Sequence, residues 1–204
     1  MLKKLKNNSL VIIFLALIFA FFLPTVASAS TYGSGNYGSC GYNSCSLSII
    51  SNGSVSLNVS PTTSGSCTIQ SDEVTVLTDD NNGYTLDLTN GNNNTNLTNG
   101  SSSINASNGT FTSPTSLVIN TWGYRVDGDG GFGAGPTYAQ SNSNQSGITF
   151  AGTQPEDGTP DDIASSSVAA DPGVSTMVWY GVCADLSLTS GSYSSSITYT
   201  AIAN

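Results

Sequence analysis

From Ser46 onward apolar residues alternate with polar ones in short runs, and no window carries the 3.6-residue period of an amphipathic helix. Alternation at period two predicts half-buried strands, with turns where Gly, Asn, Asp and Pro interrupt them. Ser46–Ile50 and Ser54–Val59 flank Asn52-Gly53, the signal of a type I′ hairpin. Cys67–Thr78 leads through Asp79-Asp80-Asn81-Asn82-Gly83 into Tyr84–Leu88. This predicts a second hairpin with Val74, Val76, Tyr84, Leu86 and Leu88 on one face. Residues 90–109 hold eight asparagines and read as a long turn or a weak edge strand around Leu97 and Ile104. Leu117–Val126 is the strongest interior strand, Gly147–Phe150 a short one and Val174–Leu186 a long one. Ser192–Ala203 closes the pattern with Tyr193, Ile197, Tyr199, Ala201 and Ala203 on one face. Asp127–Gly135 and Glu156–Asp162 read as loops, and Ile163–Ala170 as a single helical turn. The expected fold is an all-β, antiparallel β-sandwich of about 8–10 strands over residues 46–204.

Residues 1–29 have the make-up of a secretory signal helix. Lys3, Lys4 and Lys6 precede the apolar run Leu10–Leu23, Pro24 ends it, and Ala27-Ser28-Ala29 offers a cleavage site. The run is short for a membrane span of ~20 residues, so removal is expected and the membrane is met only through this segment. Ser39-Cys40 lacks a lipobox, and no sorting motif or apolar tail is seen at the far end. Residues 30–45 form a Gly/Tyr/Ser-rich leader. The four cysteines, Cys40, Cys45, Cys67 and Cys183, all follow the signal, and an even count fits an oxidising compartment. Of the three connectivities we favour Cys40–Cys45 with Cys67–Cys183; a four-cysteine zinc site is the weaker alternative.

Composition then removes whole classes of function. The 13 acidic residues stand against four basic ones, and histidine is absent. Once the three signal lysines are set aside, residues 30–204 hold Arg125 as their one cation against 13 acids, a formal net charge of −12. A body with a single cation cannot neutralise a phosphate backbone, which excludes nucleic acid as a partner. Without histidine or lysine there is no imidazole base, no Schiff-base amine and no partner to activate a serine. A glycosidase would need two carboxyl groups facing each other ~5–9.5 Å apart, whereas the acids here gather in predicted turns. The chain is therefore expected not to be an enzyme.

Three candidate sites remain. Asp127 and Asp129, in Asp127-Gly-Asp129-Gly-Gly131, are weak calcium candidates, since no loop completes a calcium-binding pattern. Trp122, Tyr124 and Trp179 would serve as a sugar-stacking surface if they face outward, against the competing role of inward core aromatics. Arg125 is expected to pair with a neighbouring aspartate.

Several stretches resemble exported surface proteins of small-genome candidate-phyla bacteria. They are Tyr32–Gly38 (YGSGNYG), Val74–Leu88 (VTVLTDDNNGYTLDL), Asn120–Val126 (NTWGYRV), Val178–Leu186 (VWYGVCADL) and Gly191–Asn204 (GSYSSSITYTAIAN). The ending is also similar to the closing strands of spore-coat-U and pilus-type sandwiches, with a Tyr-Gly strand, a Gly-Tyr turn and a final Thr-rich strand. The resemblance implies an Ig-like or pilin-like sandwich with a surface role and no catalytic residues. The expected function is that of a secreted, cell-surface structural or adhesion protein. Its partners would be surface or matrix proteins, glycans or further copies of itself, with no cofactor beyond the weak calcium reading. A carbohydrate-binding module and a pilus-like polymer subunit are the alternatives.

Overall fold

β-branched and aromatic residues at alternate positions suit a pleated, half-buried surface, and the longest such runs become the longest strands. In the computed structural model, which describes residues 45–144 and 147–204, they form twelve strands and no helix. All described residues belong to one unit. The expected signal, Cys40 and nearly all of the leader lie outside them.

The strands are β1 (Leu47–Ser51), β2 (Ser66–Thr78), β3 (Tyr84–Asn90), β4 (Leu97–Asn99), β5 (Ser102–Ala106), β6 (Thr115–Ser116), β7 (Thr121–Val126), β8 (Gln140–Ser143), β9 (Thr149–Phe150), β10 (Asp161–Ser166), β11 (Ala170–Ala184) and β12 (Ile197–Ala203). A seven-stranded sheet runs β1-β2-β11-β7-β5-β4, with β8 beside β1 on the same edge of β2. A three-stranded sheet runs β10-β3-β12, and β6 and β9 make a separate pair. All pairs are antiparallel except β5–β7. The spine of the large sheet is β2 against β11, in register from Cys67↔Cys183 to Val76↔Val174.

The two sheets face each other across one core. Val74, Val76, Trp122, Tyr124, Val126, Val178, Tyr180 and Val182 meet Tyr84, Leu86, Leu88 and Ile163. The alternation therefore reads out correctly as an all-β sandwich. On the opposite face of the large sheet, Cys67, Ile69, Cys183, Leu117 and Phe150 form a second cluster. Phe150 reaches that face because Gly181 lies beneath it; a Cβ there would sit 2.7 Å from the ring.

Several local expectations are corrected. Ser46–Ile50 does not turn back on Ser54–Val59; β1 pairs with the second half of β2, from Leu47↔Thr78 to Ser51↔Val74. A type I′ turn needs positive φ at both central residues, and of Asn52 and Gly53 only Gly53 has it (86°). Residues 54–59 instead run along the core, with Val55, Leu57 and Val59 packed against it. β2 and β3 are not a hairpin either, because they belong to different sheets. Their in-phase alternation puts five apolar residues on a common face, and that face closes as a sandwich rather than lying flat. Ile163–Ala170 is no helical turn, since Asp161–Ser166 is β10 and Ala170 opens β11. Asp161 and Asp162 thus belong to a strand, not to the acidic loop.

Candidate functional site at the open side of the sandwich

The aromatic platform does not form. Trp122 and Tyr124 are 2% and 0% exposed, so neither faces a ligand. Trp122 donates its indole N–H to the Thr95 carbonyl at 3.0 Å, and Tyr124 donates its hydroxyl to Asp161 at 2.7 Å. These bonds satisfy the polar end of each buried ring. Trp179 alternates to the other face of β11, where it is half-buried against the cluster around Cys67, Cys183 and Phe150.

The calcium candidates are parted in the same way. Asp127 is held by Arg125, whose Nε donates to its Oδ1 at 2.6 Å. Thr137 donates its backbone N–H to Oδ2 at 2.6 Å and its hydroxyl to Oδ1 at 2.7 Å. Burial alone would raise this carboxyl, but the hydrogen bonds from Thr137 and Arg125 hold it below the ordinary carboxylate range. Asp129 bonds the next backbone N–H instead, at 2.8 Å. Among the described residues no group of three or more His, Cys, Asp or Glu is arranged to hold a metal. Arg125 pairs with a neighbouring aspartate, but as a buried pair: its side chain, 7% exposed, also donates to the Phe132 carbonyl at 2.6 Å and lies over the Phe132 ring. It pins the loop between β7 and β8 onto the sheet.

Cys67 and Cys183 form the expected disulfide, joining directly opposed residues of β2 and β11. Cys45 is also disulfide-bonded; its expected partner, Cys40, lies outside the described residues. The bridge between Cys67 and Cys183 removes the four-cysteine zinc alternative and points to an oxidising, extracytoplasmic compartment. No described helix is long and apolar enough to cross a membrane.

The remaining chemistry lies at sheet edges. On the outer face of the small sheet Asp162 of β10 stands directly opposite Asp87 of β3. Burial raises both carboxyls and their mutual repulsion adds to the rise at Asp87; at Asp162 the neighbouring Asp129 adds to it. Sequence reading missed this pair, since it appears only once β10 is known to be a strand. On the other side, edge strands β1 and β12 flank a groove lined by Ile49, Ser51, Ile197, Thr198 and Tyr199. Leu47, Ile49 and Ile50 of β1 and Ile202 of β12 are exposed, and neither strand carries a charge. The charge-free sequences LSIIS and ITYTAIA were visible from the start; that both end up as edges was not.

No protein-family model, curated protein or solved structure matches this chain.

Proposed function

We propose that this chain is a secreted, cell-surface structural or adhesion protein that acts by presenting a rigid sandwich and performs no catalysis. The observation that carries this reading is the open side of the sandwich, where β1 and β12 present uncharged edges and exposed Leu47, Ile49, Ile50 and Ile202. Edges of this kind invite strand addition by another chain. The side chains that would suit chemistry are engaged in holding the body together instead: Arg125 in its loop staple, Tyr124 on Asp161, and Cys67 with Cys183. The disulfides and the signal-like residues 1–29 support export.

Cell fractionation tests it. The full chain should be retained with the surface fraction and should confer attachment to other cells or to matrix. Recovery solely in clarified medium, with no gain in attachment, would overturn the reading. Of the three aromatics that would serve the carbohydrate-module alternative, Trp179 is the one left accessible, because Trp122 and Tyr124 are inside.

A further inference from the structure

We infer that β12 is a pairing edge for a second copy of this chain, the two strands running antiparallel about a twofold axis through Thr200. The β3–β12 ladder fixes which peptide groups are already engaged. Gly91 donates its N–H to the Ser196 carbonyl at 2.8 Å and Asn204 donates to the Gly83 carbonyl at 3.2 Å. In the register Thr198↔Thr89, Thr200↔Asp87, Ile202↔Thr85, the hydrogen-bonded positions of β12 are therefore the even-numbered ones. Antiparallel strands alternate hydrogen-bonded with non-hydrogen-bonded pairs. The N–H and C=O groups of Ile197, Tyr199, Ala201 and Ala203 thus point away from β3, and among the described residues no strand pairs with them.

Self-pairing about Thr200 satisfies this whole set. Ile197 falls opposite the partner's Ala203 and Tyr199 opposite the partner's Ala201, so every outward peptide group of each copy meets one of the other. Ile202, 51% exposed, is covered by the partner's Thr198. A twofold contact needs only this one surface.

The other edges explain why the occupant is a second copy through β12. Natural edges are protected by charge, bulges or shortness. β10 carries Asp161, Asp162 and a register irregularity, and β4, β8 and β1 have three, four and five residues; β12 has seven residues, no charge and no irregularity. A cationic partner would be drawn to the acidic faces, such as Asp87 with Asp162. Two acidic copies, in contrast, approach without close charge only where the edge is neutral. The two Asp87 side chains would stand three strand spacings apart, about 14 Å, beyond the ~8 Å screening length at physiological salt.

The inference goes beyond the surface role proposed above, and the two can fail separately: a monomer retained at the cell surface would remove only this pairing. The test is cysteine cross-linking of the chain from residue 30 onward. Thr200→Cys should give a disulfide-linked dimer under mild oxidation, because Thr200 meets the partner's Thr200 as a non-hydrogen-bonded pair with Cα atoms about 4.5 Å apart. Thr198→Cys, exposed on the same face of the same strand, would be four residues out of register with itself, about 13 Å, and should stay monomeric. Ala201→Pro removes an outward N–H and leaves the bonds to β3 in place, so it should abolish the dimer in sedimentation. Thr200→Lys, which sets two ammonium groups in contact, should do the same if the proline variant misfolds. Monomeric sedimentation of the unaltered chain, equal cross-linking at 198 and 200, or ladders larger than a dimer would overturn the inference.

Discussion

Tyr180 and Tyr199 meet hydroxyl to hydroxyl at 2.6 Å, joining the inner face of the large sheet to that of the small one. The Tyr199 hydroxyl also engages Asp72, a carboxylate only 4% exposed. Asp72 in turn accepts the backbone N–H of Asn52 at 3.0 Å. The turn after β1 is thus tied through one buried carboxylate to the contact between the sheets. Burial pushes both phenols up, most plainly at Tyr199, where the neighbouring Tyr180 and Asp72 add to it.

Removing one hydroxyl from this chain of bonds should be costly, because the groups left behind stay buried. Tyr199→Phe deprives both Tyr180 and Asp72 of a partner and should lower unfolding stability by about 1–3 kcal/mol in urea titrations. Combined with Tyr180→Phe, the loss should fall short of the sum of the two single losses, since both remove the same bond.

Acidification should strengthen the fold before it weakens it. Asp87, Asp161 and Asp162 have carboxyls raised by burial. Their contribution is full below the ordinary carboxyl pKa and is lost as pH rises through the raised folded values. Asp127 is lowered, so its contribution is present above the ordinary pKa and is lost as pH falls through the lowered value. Melting temperature should therefore rise as pH drops from neutral into the upper carboxylate range, then fall in stronger acid. Asp162→Asn, by removing the like charge opposite Asp87, should stabilise by about 0.2–1 kcal/mol at neutral pH and low salt. It should also shrink the acid-side gain; an unchanged profile counts against the Asp87–Asp162 relationship.

Arg125→Met should destabilise far more than loss of an exposed ion pair would. It strands Asp127 and the carbonyls of Phe132, Gly133 and Thr149, to which the guanidinium donates. Breaking a buried pair typically costs about 3–5 kcal/mol. Hydrogen exchange should show the loop between β7 and β8 losing protection first. A change below about 1 kcal/mol would mean that solvent replaces the arginine.

Replacing both Cys67 and Cys183 with alanine should lower stability by about 4–5 kcal/mol on the chain-entropy account, given their separation of 116 residues. Denaturant titration of the double variant under non-reducing conditions checks it.

Period-two alternation carries fold class well. It marked Val74, Val76, Tyr84, Leu86 and Leu88 as one apolar face, and all five are buried in one core. Alternation cannot tell strands lying side by side from strands facing each other, and so β2 and β3 looked like a hairpin. The Asn-rich tract reads as a long turn or a weak edge strand around Leu97 and Ile104, and it is both: β4 and β5 pair through Leu97↔Ile104 at the sheet edge. Ahead of them the side-chain oxygens of Asn90, Asn92 and Asn94 each accept the backbone N–H two residues on, the local bond that suits asparagine to turns. Arg125 was legible as half of an ion pair, but not its burial, which depends on Phe132 and Thr137 folding over it. The Tyr180–Tyr199 pair was invisible because its members come from different sheets.

The order in which the strands become neighbours has a consequence for how the body comes to exist. β3 follows β2 directly, yet its partners are β10 and β12, with β4 to β9 in between; β2 likewise waits for β11. The small sheet has no pair of strands adjacent in sequence, and in the large one the β2–β11 spine is long-range although β1–β2 and β4–β5 pair locally; closing such wide loops precedes any gain from their contacts. The core between the sheets therefore closes only when the later strands β10, β11 and β12 are at hand, and until then a chain with little more than its local pairs formed can still be drawn through a narrow channel.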